Sequence, residues 1–197
     1  MNDNSRSGSR AYWGRTGAAL IAGALAASGI AAALPASGSP PDDLTRLRAE
    51  AEIEELTYCY AEATDAIGRG ELEYGRSLYQ KCFTSDAVLE AYYPGDDPNG
   101  PPSLTSDPSA WADVANNEFT TKGYVSTQHL NANVRIDVKG NWATMSTYLS
   151  ATHVIDPTGA IDLAHGTYED IVVRTPKGWK IKKRTLRLLT YMRVESP

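Results

Sequence analysis

The feature that most constrains the fold is a series of four long strand-like segments in the second half of the chain. They cover approximately residues 124–138, 142–155, 160–174 and 179–193. The links between them are short and rich in turn-forming residues: Lys139-Gly140-Asn141, Asp156-Pro157-Thr158-Gly159 and Pro176-Lys177-Gly178. Links this short join neighbouring antiparallel strands, so the pattern predicts a series of hairpins.

Three helices and one further strand are predicted before these hairpins. Apolar residues recur at spacings of three and four along residues 44–67, which is typical of one buried helix face. A second helix is predicted over 71–82, a strand over 86–93 and a third helix over 107–120, with a proline-rich loop at 94–106. Helices followed by antiparallel strands predict an α+β domain. We expect a cone-shaped α+β barrel, with three N-terminal helices packed in a strongly curved, mostly antiparallel sheet around a deep pocket.

The first 36 residues have the composition of a targeting segment. Three arginines precede an uncharged run at residues 16–34, and small residues and prolines follow it. This order predicts a secretory signal peptide that is cleaved near Ala36. The alternative is a retained N-terminal anchor, since the run is just long enough to span a bilayer. We expect export to the periplasm of a Gram-negative bacterium, with a linker at 37–43 and one domain at 44–195.

The charge of the chain disfavours several classes of partner. The net charge is −5, and removal of the leader, with its three arginines and one aspartate, changes it to −7. An acidic domain without a basic stripe disfavours nucleic acid and anionic membrane surfaces. The sequence also lacks a glycine-rich phosphate loop and the GxSxG, HExxH and CxxC motifs. We therefore expect chemistry by ordinary side chains, without a metal or other cofactor.

Cys59 and Cys82 are the only cysteines of the chain. Two cysteines neither build a disulfide framework nor complete a zinc site. They could pair in an oxidising compartment, but we interpret them as two small buried residues, which is a common role of free cysteine.

Asp65 is the first candidate for chemistry, because it lies just before Gly68, where we expect the first helix to end. The helix dipole disfavours a carboxylate near a helix C-terminus, so a cationic partner is indicated. Five residues separate Asp65 from Tyr60, which places the two about 140° apart around an ideal helix. Asp65 is therefore off the apolar stripe, and a solvated aspartate is the alternative.

The chain has three histidines, His129, His153 and His165, and all are expected on strands. Strict alternation with Leu130 and the apolar residues that follow it places His129 on the face opposite to them. A β-bulge, or a sheet that is covered on both faces, would be needed to direct it into the pocket. His153 alternates with apolar residues and is expected to face the core. For each histidine a structural role is the alternative to a catalytic one.

Arg184 alternates with Leu186 and Leu188 in the last strand, so it is expected on an apolar face. A guanidinium group there needs an anion or a hydrogen-bond network. Its partner is either a structural carboxylate or a group of a bound substrate, and the sequence leaves both open.

Two segments resemble SnoaL-like proteins of the nuclear-transport-factor-2-like superfamily. They are the opening IEELTYCYAEATDAIGRGELEYGRSLYQKCFTSDAVLE and the closing GTYEDIVVRTPKGWKIKKRTL. The resemblance covers approximately residues 44–193 and implies the cone-shaped fold. It implies less about function, since this fold hosts enzymes, ligand binders and structural modules.

The cofactor-free lyases of this superfamily are the most similar in site pattern: scytalone dehydratase, bile-acid 7α-dehydratase and hexachlorocyclohexane dehydrochlorinase. Their aspartate at the end of the first helix and their histidine after the third helix match Asp65 and His129. Further polar positions match Tyr60, His153 and Arg184. The resemblance implies that Asp65 orients His129 and that His129 abstracts a proton. Tyr60 would stabilise charge on oxygen, and His153 or Arg184 would assist the leaving group.

The implied substrate is a small hydrophobic cyclic or aromatic molecule. We expect large side chains to line its pocket: Tyr58, Tyr60, Tyr92, Tyr93, Trp111, Phe119 and Met145. Dehydration is the first expectation, with deformylation, isomerisation and cyclisation as alternatives on the same scaffold. A non-catalytic exported protein that binds apolar ligands and an interaction module with a vestigial pocket are the other hypotheses. Apolar residues on both faces of the last strands favour a homodimer or homotrimer.

Overall fold

The structure is a computed structural model that describes residues 40–196. The predicted signal peptide lies outside the described residues. Three helices are present in this part: α1 (Pro40–Gly68), α2 (Leu72–Cys82) and α3 (Pro108–Lys122). Six strands accompany them: β1 (Phe83–Tyr92), β2 (Leu104–Ser106), β3 (Tyr124–Lys139), β4 (Trp142–Ile155), β5 (Ile161–Thr175) and β6 (Gly178–Val194). The predicted α+β class is confirmed.

The six strands form one curved sheet in the order β2-β1-β6-β5-β4-β3. The last four strands pair antiparallel with their chain neighbours, as the short links predict. Strand β1 lies parallel to β6, and the short β2 pairs antiparallel with β1. The sheet stays open, with β2 and β3 at its edges, and its curvature matches the expected cone.

The first helix is longer than predicted, because it begins at Pro40 inside the expected linker. Proline is tolerated in the first turn of a helix, where its missing N–H needs no partner. Asp42 and Asp43 add favourable charge at this end. The predicted apolar stripe is confirmed, since Ile53, Tyr60 and other members of it are at most 6% exposed in the core.

Cys59 and Cys82 form a disulfide, which contradicts our interpretation of two unpaired buried thiols. Their Cα atoms are 5.9 Å apart, a separation that a disulfide can bridge. Helical periodicity places each cysteine on its own helix but does not show that the two helices meet at this point. The bond ties α1, close to Tyr60, to the junction of α2 and β1.

Within residues 40–196, no helix has the length and apolar character needed to cross a membrane.

Candidate active site

Asp65 and His129 are in contact between the end of α1 and the first half of β3. The Nδ1 atom of His129 lies 2.7 Å from Oδ1 of Asp65. The carboxylate also accepts the backbone N–H of His129 at 3.2 Å and the hydroxyl of Thr127 at 3.0 Å. Gly68 makes this approach possible, because a Cβ atom there would overlap the Thr127 side chain. The helix-end carboxylate therefore has an imidazole partner, which is a cation only when it is protonated.

A bulge in β3 turns His129 towards the helices. The pairing of β3 with β4 shifts register between Ala132 and Arg135, and Asn133 has a left-handed φ of 53°. One extra residue inverts the alternation of faces. The more buried positions are consequently odd-numbered before the bulge, as at Thr127 and His129, and even-numbered after it. The face change that strict alternation required is thus present in the structure.

His129 lines a cavity of about 340 Å³ between the helices and the sheet. The volume lies within the range of small-molecule sites, about 300–1,000 Å³. Five other residues that the sequence indicated also line it: Tyr60, Tyr93, Trp111, Phe119 and His153. The structure therefore brings His129 together with the phenol of Tyr60, a second imidazole and aromatic walls.

Tyr60 is 2% exposed, and its hydroxyl oxygen accepts the indole N–H of Trp111 at 3.2 Å. Its ring packs against the rings of Tyr79 and Tyr168, with centroids 5.4 and 5.2 Å away. A hydroxyl that accepts one hydrogen bond becomes a stronger donor for the next one. This geometry suits Tyr60 to donate to an oxygen on which negative charge develops.

His153 is buried with its Nδ1 atom 3.2 Å from the backbone carbonyl oxygen of Asp162. A carbonyl oxygen only accepts hydrogen bonds, so Nδ1 carries the hydrogen and Nε2 carries a lone pair. Burial and the nearby charge of His129 lower the pKa of His153 to about 4. The ring is therefore neutral at pH 7. It is suited to accept a hydrogen bond from a ligand rather than to donate a proton to a leaving group.

Arg184 has the structural carboxylate partner that was one of its two alternatives. Its guanidinium group donates to Asp170 at 2.8 and 2.7 Å, and both side chains are at most 1% exposed. The same group lies 4.1 Å from the ring centroid of Tyr60 and 4.3 Å from that of Tyr168. Arg184 consequently lies behind two aromatic side chains of the cavity wall, which separates it from the cavity.

Three side chains that were expected in the pocket lie elsewhere. Tyr58 is 55% exposed, because two residues along a helix place it about 200° around α1 from Tyr60. Tyr92 donates its hydroxyl hydrogen to the carbonyl oxygen of Gly100, in the loop after β1. Met145 is in register with Asp170, and it is buried beside the ion pair of that residue. Alternation and size alone did not separate these core and surface positions from cavity positions.

The sequence reasoning missed a larger part of the cavity wall. Helix and strand residues complete it: Thr64, Leu104, Val114, Ala115, Glu118, Lys122, Leu149, Ala151, Ala164, Tyr168, Leu186, Leu188 and Tyr191. Leu149 and Ala151 share the alternation of His153 on β4, and Ala164 shares that of Tyr168 on β5, which is a signal that could have identified them. No sequence signal singles out Glu118 and Lys122. Within residues 40–196, no group of three or more His, Cys, Asp or Glu side chains has a metal-binding arrangement.

Comparison with known proteins gives a family match and a set of similar folds. The family model of the SnoaL-like domain matches residues 45–185. No curated protein sequence gives a significant match.

Three of the similar solved structures illustrate the range of functions on this fold. A protein from Novosphingobium aromaticivorans assigned as a scytalone dehydratase superimposes with a TM-score of 0.57, at 22% identity, over 81% of this chain and 94% of its own. The hexachlorocyclohexane dehydrochlorinase of Novosphingobium barchaimii gives 0.59 at 18% identity, over 77% and 94%. A protein from N. aromaticivorans assigned as the beta subunit of an aromatic-ring-hydroxylating dioxygenase gives 0.58 at 17% identity, over 74% and 92%. At these identities the likeness shows the fold alone.

Proposed function

Because the chain belongs to the SnoaL-like family, whose fold also serves a dehydratase and a dehydrochlorinase among the similar structures, we propose that it is a cofactor-independent lyase. The observation that carries the proposal is the 2.7 Å contact between Asp65 and His129 at the wall of a largely apolar cavity. The substrate is a small hydrophobic cyclic or aromatic molecule, and dehydration is the reaction that we favour.

The contact between the two residues determines which nitrogen of His129 reacts. The Asp65 carboxylate only accepts hydrogen bonds, so Nδ1 of the neutral His129 ring carries the hydrogen. Its Nε2 atom then has a free lone pair and acts as the general base. Asp65 also stabilises the imidazolium that forms after proton transfer. General-base catalysis of this kind contributes about 10²–10⁴-fold to the rate.

The elimination then proceeds with every proton assigned. Nε2 of His129 removes a proton from a substrate carbon, the C–H electrons form the new carbon–carbon double bond, and the bond to the hydroxyl group breaks. Tyr60 donates a hydrogen bond to an oxygen that gains negative charge. The departing oxygen needs one proton to leave as water, and the imidazolium of His129 supplies it. His153, which is neutral, accepts a hydrogen bond from a substrate hydroxyl.

A substrate screen with matched histidine variants tests the proposal. His129→Gln should lower turnover of any accepted substrate by about 10²–10⁴-fold. His165→Gln is the control, since His165 occupies an outer-face position of β5 and should change turnover by less than about twofold. Equal activity of the two variants would refute the role of His129.

A non-catalytic ligand-binding protein is the second candidate, and the apolar wall of the cavity favours it. This function predicts that His129→Gln binds an apolar ligand as tightly as the wild type and that neither protein forms product. The deformylase, isomerase and cyclase alternatives use the same groups, so the chemical identity of the product distinguishes them from dehydration.

Export of the protein is part of the proposal, and the Cys59–Cys82 disulfide supports it. Structural disulfides persist in oxidising compartments such as the bacterial periplasm. N-terminal sequencing of the secreted protein would locate the cleavage site, and a mature protein that begins at Met1 would refute cleavage. A homodimer or homotrimer is also part of the proposal, because the last strand exposes apolar side chains such as Leu189 and Val194.

A further inference from the structure

The cavity has a charged corner that the proposed dyad chemistry does not use. Within residues 40–196, two acidic or basic side chains line the cavity in addition to its two histidines: Glu118 and Lys122, both on α3. Tyr191 of β6 completes this group, which we call the Lys122 corner. The remaining wall is mainly apolar and aromatic, so a charge at this corner strongly affects which ligand fits.

The ammonium group of Lys122 has one donor to spare. It contacts Oε1 of Glu118 at 2.7 Å and donates to the hydroxyl oxygen of Tyr191 at 2.7 Å. An ammonium group has three N–H donors. Within residues 40–196 the group makes no further hydrogen bond, although it also lies 4.0 Å from the ring centroid of Tyr191. Burial acts to lower the pKa of Lys122, but the hydrogen bonds to Glu118 and Tyr191 outweigh it and raise the pKa. Lys122 is therefore a cation at neutral pH.

The positive charge of Lys122 acts into the cavity. After burial and the charge of His129, it contributes to the low pKa of His153. The Glu118 side chain is 53% exposed, whereas that of Lys122 is 30% exposed. Water and salt screen an exposed carboxylate more strongly than a charge that faces a low-dielectric cavity. Glu118 thus cancels only part of the field that a bound ligand experiences.

The neighbouring carboxylate of Asp162 does not compete for Lys122. It accepts hydrogen bonds from Nε and Nη2 of Arg193 at 2.8 and 2.9 Å, and from the Tyr124 hydroxyl at 2.6 Å. The hydrogen bonds from Arg193 hold the pKa of Asp162 well below its usual range, so the pair stays ionised and mutually neutralised. Lys122 consequently remains the cation that can take a ligand anion in the cavity.

We propose that the cavity binds hydrophobic ring compounds that carry a carboxylate, and that Lys122 binds this carboxylate. The ring lies against the aromatic wall, and the carboxylate accepts the third N–H of Lys122 at the corner. This inference rests on the proposed function for its substrate class, aromatic or alicyclic carboxylic acids. Binding itself does not require the dyad, so the two proposals are tested separately.

Two ligands of nearly equal shape test the charge preference: 2-naphthoate, an anion, and 2-naphthamide, its neutral counterpart. Dissociation constants are measured by isothermal titration calorimetry on the purified protein. Because a hydrogen bond between charged groups stabilises a complex more than a neutral one does, the dissociation constant of naphthoate should be lower than that of naphthamide by about tenfold or more. Lys122→Met should remove this preference by weakening naphthoate, with naphthamide affinity changed less than about twofold.

Glu118→Gln provides a variant with the opposite expected sign. It removes the anion that competes for Lys122. Naphthoate should therefore bind at least about threefold more tightly to this variant than to the wild type. The matched control is Lys139→Met, a lysine that pairs with Asp137 at the end of β3 at 3.0 Å. This control should leave both affinities unchanged.

The outcomes separate this inference from the proposed lyase activity. His129→Gln should retain the naphthoate preference even where it abolishes turnover. The inference is overturned if Lys122→Met keeps the preference, if Glu118→Gln weakens naphthoate binding, or if neither compound binds the wild type. Loss of the preference in Lys122→Met together with an inactive wild type would support the binding site and refute the lyase.

Discussion

Reduction of the Cys59–Cys82 disulfide should destabilise the protein by an amount that follows from the length of the loop it closes. The two cysteines are 23 residues apart. With the chain-entropy relation for a cross-link, a loop of this length corresponds to about 3.4 kcal/mol at 25 °C. For a domain of this size each kcal/mol shifts the melting temperature by about 2–4 °C, so we expect a decrease of about 10 °C.

Urea unfolding monitored by circular dichroism, with and without dithiothreitol, measures this change in the free energy of unfolding. The Cys59→Ser/Cys82→Ser double variant is the control, because dithiothreitol should leave its stability unchanged. Reduction should also affect the site, since the bond holds α1 next to Tyr60. A difference of less than about 1 kcal/mol between oxidised and reduced wild type would refute the reasoning, as it would show that the helices stay together without the bond.

Three further predictions concern Asp65, the buried Arg184 and the buried His153. Asp65→Asn should lower turnover about 10²-fold with little loss of stability, measured by steady-state kinetics and thermal unfolding, because an amide still accepts a hydrogen bond but no longer stabilises the imidazolium. Arg184→Met should cost about 3–5 kcal/mol in urea unfolding, because Asp170 then keeps a buried charge without a partner; an Asp170→Asn/Arg184→Met double variant should recover part of this loss. His153 has a folded pKa of about 4, below its ordinary value of 6.5, so the unfolded chain takes up the proton first as pH falls. The stability that this contributes is full above about pH 6.5 and is lost between about pH 6.5 and 4, at most about 3 kcal/mol, and His153→Asn should flatten the pH dependence of unfolding over that range.

The architecture was predictable because it depends on local signals. Strand length, the short links and the helix stripe each arise from residues that are close in sequence. The observed order of elements agrees with them except for the short strand β2 (Leu104–Ser106), which lies in the segment predicted as a loop. The start of α1 was the least predictable boundary, because Pro40 is compatible both with a linker and with the first turn of a helix. The site pattern around Asp65 and His129 was also available, although it came from a family resemblance rather than from periodicity.

The features that the sequence did not reveal depend on contacts between distant residues. The Cys59–Cys82 pair forms only because α1 and α2 pack together at that point. The Arg184–Asp170 pair is a cross-strand register contact between β5 and β6. The same reasoning from alternation that placed Arg184 on an apolar face was correct, yet it did not determine whether its partner was a protein carboxylate or a ligand.

The bulge at Asn133 shows how a single residue controls the site. In the second half of β3 the even-numbered residues face inward. Without the extra residue the same alternation would continue into the first half, so that Leu130 would face inward and His129 outward. Asn is one of the few residues that accept a left-handed φ, so this position tolerates the bulge at small cost. The apolar residues after the bulge hold the strand in the core, and the bulge frees the residues before it to serve the cavity. The orientation of His129 towards Asp65 and the cavity is therefore set four residues away from it, which neither the histidine nor its neighbours in sequence could indicate.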